Sequence, residues 1–290
     1  MSVTMLADAV FSEAYRFTKN RMTVFWSVIF LPIALLCLSS VGQFFLKQKM
    51  AEIGNDPRLP PALLGQGALD LGQGLVKLAG DLANPMLLLF ILIGAATLYA
   101  GDYRWETWRL TSARNSRANL ILGKVGVAKL LTVAAMIVFL IFGFAGDLVK
   151  GAIHGQSYVF HFGGKQAGEF GLLALIGYVR VMQVGLIGLL AAVMTRSLLA
   201  TLFVPLVVSI AQFFLMQSMP LFGWEGTEWY AQAVIPGLAY DNLKSATLGG
   251  AMSAVPSATV WAAAISLIGW CLVLLIGAIA WFQRQDLSKE

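Results

Sequence analysis

The chain has 290 residues, 58% of them hydrophobic and only 12% charged, and its mean hydropathy is +0.76. This balance excludes an ordinary soluble domain and places the chain in the membrane class. The net charge of +5 is modest; it bears on orientation in a bilayer and gives no reason to expect nucleic acid as a partner.

Residues 4–20 set Leu6, Val10, Ala14 and Phe17 at helical spacing, with Asp8, Ser12, Arg16 and Lys19 on the other side. The pattern predicts an amphipathic helix lying along the membrane surface. A first apolar run, about Met22 to Phe45, is long enough to cross a bilayer, for which about 20 residues suffice. Pro32 inside it is a kink position. The bulky Leu36 before Cys37 argues against lipoprotein processing, and no small-residue cleavage site follows, so this span is expected to be retained. Residues 46–84 include Lys47, Lys49, Glu52, Asp56 and Arg58 and are polar enough to leave the membrane. Their near-repeat, Leu64-Gly-Gln-Gly and Leu71-Gly-Gln-Gly, reads as an amphipathic surface helix weakened by glycine.

Further spans are predicted at about 85–103, 125–148, 170–194, 198–219 and 258–282, giving an all-α membrane protein with six crossings in one domain over 1–290. Thr195-Arg196-Ser197 is a tight turn between the fourth and fifth, while 150–168 and 220–257 are longer exposed segments. With the N-terminus in the cytoplasm, that side holds twelve Lys and Arg and the other side seven, which favours cytoplasmic termini. Trp26, Trp105, Trp108 and Trp281 then sit at the cytoplasmic interface, where amphipathic rings settle. Cys37 and Cys271 both fall in apolar spans and read as small hydrophobes, not as a disulfide or a metal pair.

Catalytic signatures are missing. There is no His-Glu-x-x-His, no Gly-x-Ser-x-Gly, no cysteine–histidine cluster and no P-loop. His154 and His161 read as solvated loop residues. No carboxylate lies deep in a span, which leaves an intramembrane protease or a carboxylate proton relay unsupported. The expectation is therefore a chain with no catalytic residue, no metal and no cofactor of its own.

The most unusual stretch connects the second and third spans: Asp102-Tyr-Arg104-Trp105-Glu106-Thr107-Trp108-Arg109-Leu110, then Arg114, Ser116-Arg117 and Gly123-Lys124. Retention of positive charge in the cytoplasm accounts for Arg114, Arg117 and Lys124. It does not account for Asp102 and Glu106, which dilute that charge. On a helix these acids lie at i and i+4, with Trp105 and Arg109 similarly paired on the next face. Such a surface offers an aromatic anchor and ion pairs to a partner.

An acid, a threonine, a leucine-containing turn, Ser-Arg and then Gly-Lys leading into a third span resemble the permease subunits of export-type (type V) ABC transporters. The six spans, the N-terminal helix, the tight turn after the fourth span and the segment Ile235-Pro-Gly-Leu-Ala-Tyr-Asp-Asn-Leu243 extend the likeness over nearly the whole chain. Trp108, where the family more often has a small or aliphatic residue, and the long loop after the first span depart from the pattern. The resemblance implies a short cytoplasmic coupling helix within 102–118. Asp102, Arg104, Trp105, Glu106, Thr107, Trp108, Arg109, Arg114 and Arg117 would meet a separate ATPase subunit that carries ATP and Mg. It also implies a second permease subunit, identical or paralogous, a bacterial inner membrane, paired short helices in the outer segment before the sixth span, and export of a hydrophobic or amphipathic substrate. The alternative is an energy-independent channel or a scaffold subunit of a larger membrane complex.

Arg180 lies about eight to ten residues into the fourth span. An arginine near mid-bilayer costs at least about 2.5 kcal/mol, so it needs a reason. Snorkelling, or capping of carbonyls in a re-entrant outer segment, is one; contact with an anionic group of a transported molecule, with Tyr178 and Gln183 beside it, is the other.

Overall fold

A computed structural model describes residues 3–53, 67–104, 108, 115–249 and 255–285. The amphipathic segment forms α1 (Val3–Lys19). Asn20 breaks it from the first span: its side chain accepts a hydrogen bond from the Thr23 amide at the start of α2 (Arg21–Val24). The next turn, Phe25–Phe30, is a π-helix that runs into α3 (Leu31–Ile53). Pro32, which has no amide proton to donate, is accommodated by this widened turn at the head of α3.

The remaining helices are α4 (Leu71–Gly80), α5 (Pro85–Arg104), α6 (Arg117–His154), α7 (Gly164–Thr195), α8 (Leu198–Ser218), α9 (Trp229–Val234), α10 (Pro236–Leu248) and α11 (Ser257–Arg284). Among the described residues six helical stretches are long and apolar enough to cross a membrane: Arg21–Met50, Pro85–Tyr103, Arg117–His154, Gly164–Thr195, Leu198–Phe222 and Ser257–Arg284. The chain is an all-α membrane protein. The first, third and fourth helices run several residues past the apolar cores expected from the sequence, because polar end residues find partners instead of ending the helix. Lys47 donates to the Ile153 carbonyl, and His154 pairs with Gln43 at 2.9 Å.

The crossings alternate in direction. One face, called here the terminal face, gathers α1, Tyr103, the start of α6, Val193 and the end of α11. The far face gathers α4, the 155–163 loop, α9 and α10. The second and fourth spans are the most buried, and the first and fifth turn most of their apolar side chains outward, as lipid-facing helices do. On α1, Val10, Ala14 and Phe17 pack inward, while Phe11 and Tyr15 stay exposed beside them.

Residues 71–80 differ from expectation. They form not a surface helix but one with buried Leu71, Val76 and Ala79, wedged between the third and fourth spans. Asp70 caps it, accepting from the amides of Gly72 and Gln73, and also holds the imidazole of His161 at 2.9 Å. A two-residue parallel bridge, Leu69 to Tyr158 and Asp70 to Val159, ties the same loops. The glycines allow this approach: a Cβ on Gly72 would lie 2.2 Å from the His161 carbonyl oxygen. The first copy of the near-repeat, Leu64-Gly-Gln, lies outside the described residues.

Before the sixth span the chain forms two short helices, α9 and α10, packed against α7 and α11. Side chains of the sixth span satisfy carbonyls there. Ser266 donates to Gln232 and Trp270 to Ala233, both at 2.7 Å, and Thr259 to Thr227 at 3.2 Å. These bonds answer backbone carbonyls of the segment and fix it to the sixth span.

Candidate functional site

Two polar constellations interrupt the apolar bundle. The first lies at the terminal face, around the ends of the connection between the second and third spans. Asp102 falls in the last turn of α5 and Lys124 in the second turn of α6, and each is only 1% exposed. Their side chains meet at 2.5 Å. Arg16 of α1 takes the other Asp102 oxygen at 2.6 Å and Glu13 at 3.2 Å, while Lys124 also reaches Glu13 at 3.3 Å and donates to the Leu98 carbonyl at 2.8 Å. The group is neutral overall and joins three helices. Two acids and two bases interleaved in this way satisfy one another, which burial of charge demands.

α1 reaches this position because residue 123 is glycine. A Cβ there would lie 2.9 Å from the Ala9 Cβ and 3.1 Å from its backbone carbon. The Asn115 amide group also donates to the Met5 carbonyl at 2.8 Å, and Ser116 caps α6 by accepting from the Asn119 amide.

Trp108 is placed in the same region and is 1% exposed. Its ring centroid is 4.5 Å from that of Phe282 and 5.4 Å from that of Tyr103, and the Lys124 ammonium lies 5.1 Å above the ring. Arg117 donates to three carbonyls, those of Phe282, Gln283 and Gln285, at 3.2, 3.0 and 2.6 Å. A cation on the open carbonyls at the end of α11 complements that helix's negative pole.

These positions turn three of the residues expected at a docking surface toward the subunit itself. Asp102, Trp108 and Arg117 are engaged inside the subunit, because ion pairing, aromatic packing and carbonyl capping each claim the side chain. Trp105, Glu106, Thr107, Arg109, Arg114 and the side chain of Arg104 lie outside the described residues. What sequence reasoning missed was Glu13 and Arg16. A signal existed: Glu13 lies next to the inward stripe of α1, where a polar residue requires a partner.

The second constellation lies in the far half of the bundle. A cavity of about 360 Å³ opens between the turn after α4 and helices α5, α7, α8 and α10. Arg180 lines it, 7% exposed, and donates to Gln183 at 2.6 Å and to Gln212 at 3.1 Å. The same Gln212 oxygen accepts from the Gly237 amide in the first turn of α10 at 3.0 Å. Lys244 pairs with Asp81 at 3.3 Å, and the Tyr240 hydroxyl donates to the Gly80 carbonyl at 3.1 Å. Asp241 lines the cavity with its side chain exposed; partial desolvation there raises its pKa above the ordinary carboxylate value, while Arg180 and Lys244 pull it down.

Of the three residues expected along a substrate path, Arg180 alone lines this cavity. Gln183 is fully buried beside it and orients the guanidinium, and Tyr178 is half-buried against the main core. Gln212, Asp241 and Lys244 were missed. Gln212 is a polar residue within an apolar span, and Asp241 and Lys244 sit three apart on α10; both signals are weak without the tertiary contact.

Cys37 and Cys271 are free thiols. Among the described residues no group of three or more His, Cys, Asp and Glu could hold a metal. No protein-family model matches the chain, and no curated protein matches it.

Proposed function

We propose that this chain is the membrane-spanning subunit of an ATP-driven exporter of the ABC type, moving a hydrophobic or amphipathic substrate out of the cytoplasm or the inner leaflet. ATP and Mg would be bound by a separate cytoplasmic ATPase, and two permease subunits, identical or paralogous, would share the membrane with lipid. In this reading the chain is not itself an enzyme, and it resides in a bacterial inner membrane with both termini cytoplasmic.

One observation carries the reading. Asp102 and Lys124, which stand at the two ends of the motif resembling the family's coupling segment, meet in a buried ion pair braced by Glu13 and Arg16. Trp108 is packed onto the end of the sixth span, and Arg117 is bonded to it. A connection whose ends are fixed to three helices transmits a push applied to it, whereas a freely swinging loop would absorb that push. A simple tether between spans has no use for such bracing. The segment from 105 to 114, between the fixed ends, is where a partner would press.

Two tests apply. Glu106→Lys and Trp105→Ala should weaken ATPase association by about tenfold or more while leaving insertion intact. Co-purification of both variants at wild-type stoichiometry, with normal ATP hydrolysis, would place the docking contact elsewhere. For orientation, single cysteines at the exposed positions Ser116 and Ser245, without Cys37 and Cys271, should react from the cytoplasmic and outer sides respectively. Labelling of position 116 from outside in intact cells would reverse the topology.

A further inference from the structure

The cavity around Arg180 holds two opposite charges that the fold leaves incompletely answered. Among the described residues the Arg180 guanidinium bonds only amide oxygens, those of Gln183 and Gln212, and no carboxylate stands at ion-pair distance. Neutral acceptors orient a guanidinium but do not balance its charge, and Arg180 is only 7% exposed. Asp241 lines the same cavity, and among the described residues its carboxylate makes no hydrogen bond or ion pair. Lys244 is already paired with Asp81, so these two cancel each other.

The direction of the spans orders the wall. The second span begins at the far face with Pro85, so Leu92 lies deeper than Leu88. The fourth span runs the same way, which puts Val184 deeper than Arg180, and the fifth runs the opposite way, which puts Leu206 deeper than Gln212. Charged and amide groups therefore lie toward the far face, and an apolar wall lies toward the middle of the bundle. The volume of about 360 Å³ falls within the range of small-molecule sites, roughly 300–1,000 Å³.

We infer that this cavity binds the head of a zwitterionic amphiphile, with its anionic group on Arg180, its cationic group on Asp241 and its chain toward Leu92, Val184 and Leu206. A planar guanidinium suits a carboxylate or phosphate. A cation beside Asp241 supplies at contact distance what Arg180 and Lys244 supply only from beyond ion-pair distance. A purely anionic amphiphile would answer Arg180 and repel Asp241; a purely cationic one would do the reverse. Naming this ligand as the cargo rests on the exporter reading, but its binding does not.

The test uses the full chain purified in a neutral maltoside detergent, without ATPase or nucleotide. Binding is measured for lauroyl lysophosphatidylethanolamine and N-lauroyl-lysine, both zwitterions, against lauroyl lysophosphatidate and dodecylamine. At least one zwitterion should bind about tenfold or more tightly than either amphiphile whose head carries one sign of charge. Preference for the phosphoethanolamine identifies a membrane-lipid head, and preference for lauroyl-lysine an acylated amino acid. Asp241→Asn, a cavity-facing change that preserves shape, should erase the zwitterion's advantage over lysophosphatidate. Equal binding of all four probes, or an undiminished preference in Asp241→Asn, overturns the assignment. Such a failure leaves the exporter reading to be judged on ATPase association, which this assay does not involve.

Discussion

Lys124→Met should cost about 3–5 kcal/mol and leave little protein that survives purification. Removing one member of a buried charge group strands the others. Asp102 and Glu13 would both lose the ammonium that lies 2.5 and 3.3 Å away, and Arg16 alone would remain between them. The loss is more than that of a contact, because two carboxylates would then be held in a site with almost no access to water. Asp102→Asn combined with Lys124→Met should recover much of the loss, since an amide still accepts from Arg16 and one stranded charge is gone. The readout is the thermal melt in detergent, followed by intrinsic fluorescence and size exclusion. Independent, additive losses in the double variant, or a single variant that melts with the wild type, would mean that the cluster contributes nothing to stability.

Trp108→Ala should be nearly as damaging, at about 3–5 kcal/mol, the usual range for truncating a fully buried large aromatic. The ring fills the space between Tyr103 and Phe282 and lies under the Lys124 ammonium. Its removal opens a void at the seam between the second, third and sixth spans. Trp108→Phe keeps an aromatic face for Lys124 and should lose clearly less. A docking role for Trp108 makes the opposite demand: the Ala variant would fold as the wild type does and fail only in partner binding. The melting curve of the isolated subunit therefore separates the two roles.

The spans themselves were legible because a bilayer imposes a length and a composition that a single sequence carries openly. The ends were less so. Hydropathy stops at the last apolar residue, whereas the first helix continues to Ile53 and the third begins at Arg117. The polar tails find partners on neighbouring helices, and hydropathy does not register partners.

The misreading of residues 71–80 has a related cause. Glycine lowers helix propensity, so Gly72 and Gly74 argued for a weak surface element. In the fold Gly72 permits contact with the backbone at His161, and burial of Leu71, Val76 and Ala79 outweighs the propensity penalty.

The charged motif between the second and third spans was conspicuous, but the direction of its side chains was not. Asp102 and Glu106 share a face on an ideal helix, and that geometry alone says nothing about whether the face meets solvent, a partner or the subunit's own core. Asp102 is answered by Lys124, 22 residues later, and by Arg16 on a different helix; only the packed structure brings these together. Arg180 shows the same limit. The cost of a base inside a span marked it as needing a reason, and the amides of Gln183 and Gln212 supply part of that reason. The carboxylate that shares its cavity, Asp241, comes from a short helix that composition does not single out.

The central claim, that this chain is the membrane half of an ATP-driven machine, is tested most directly by purifying the tagged full-length protein from its native membranes in a mild detergent. The account predicts that a soluble nucleotide-binding subunit accompanies it in equimolar amount, that the complex hydrolyses ATP, and that Glu106→Lys releases the subunit from a permease that remains folded. Recovery of the intact chain with no nucleotide-binding partner and no ATP hydrolysis would contradict the account and favour a channel or scaffold.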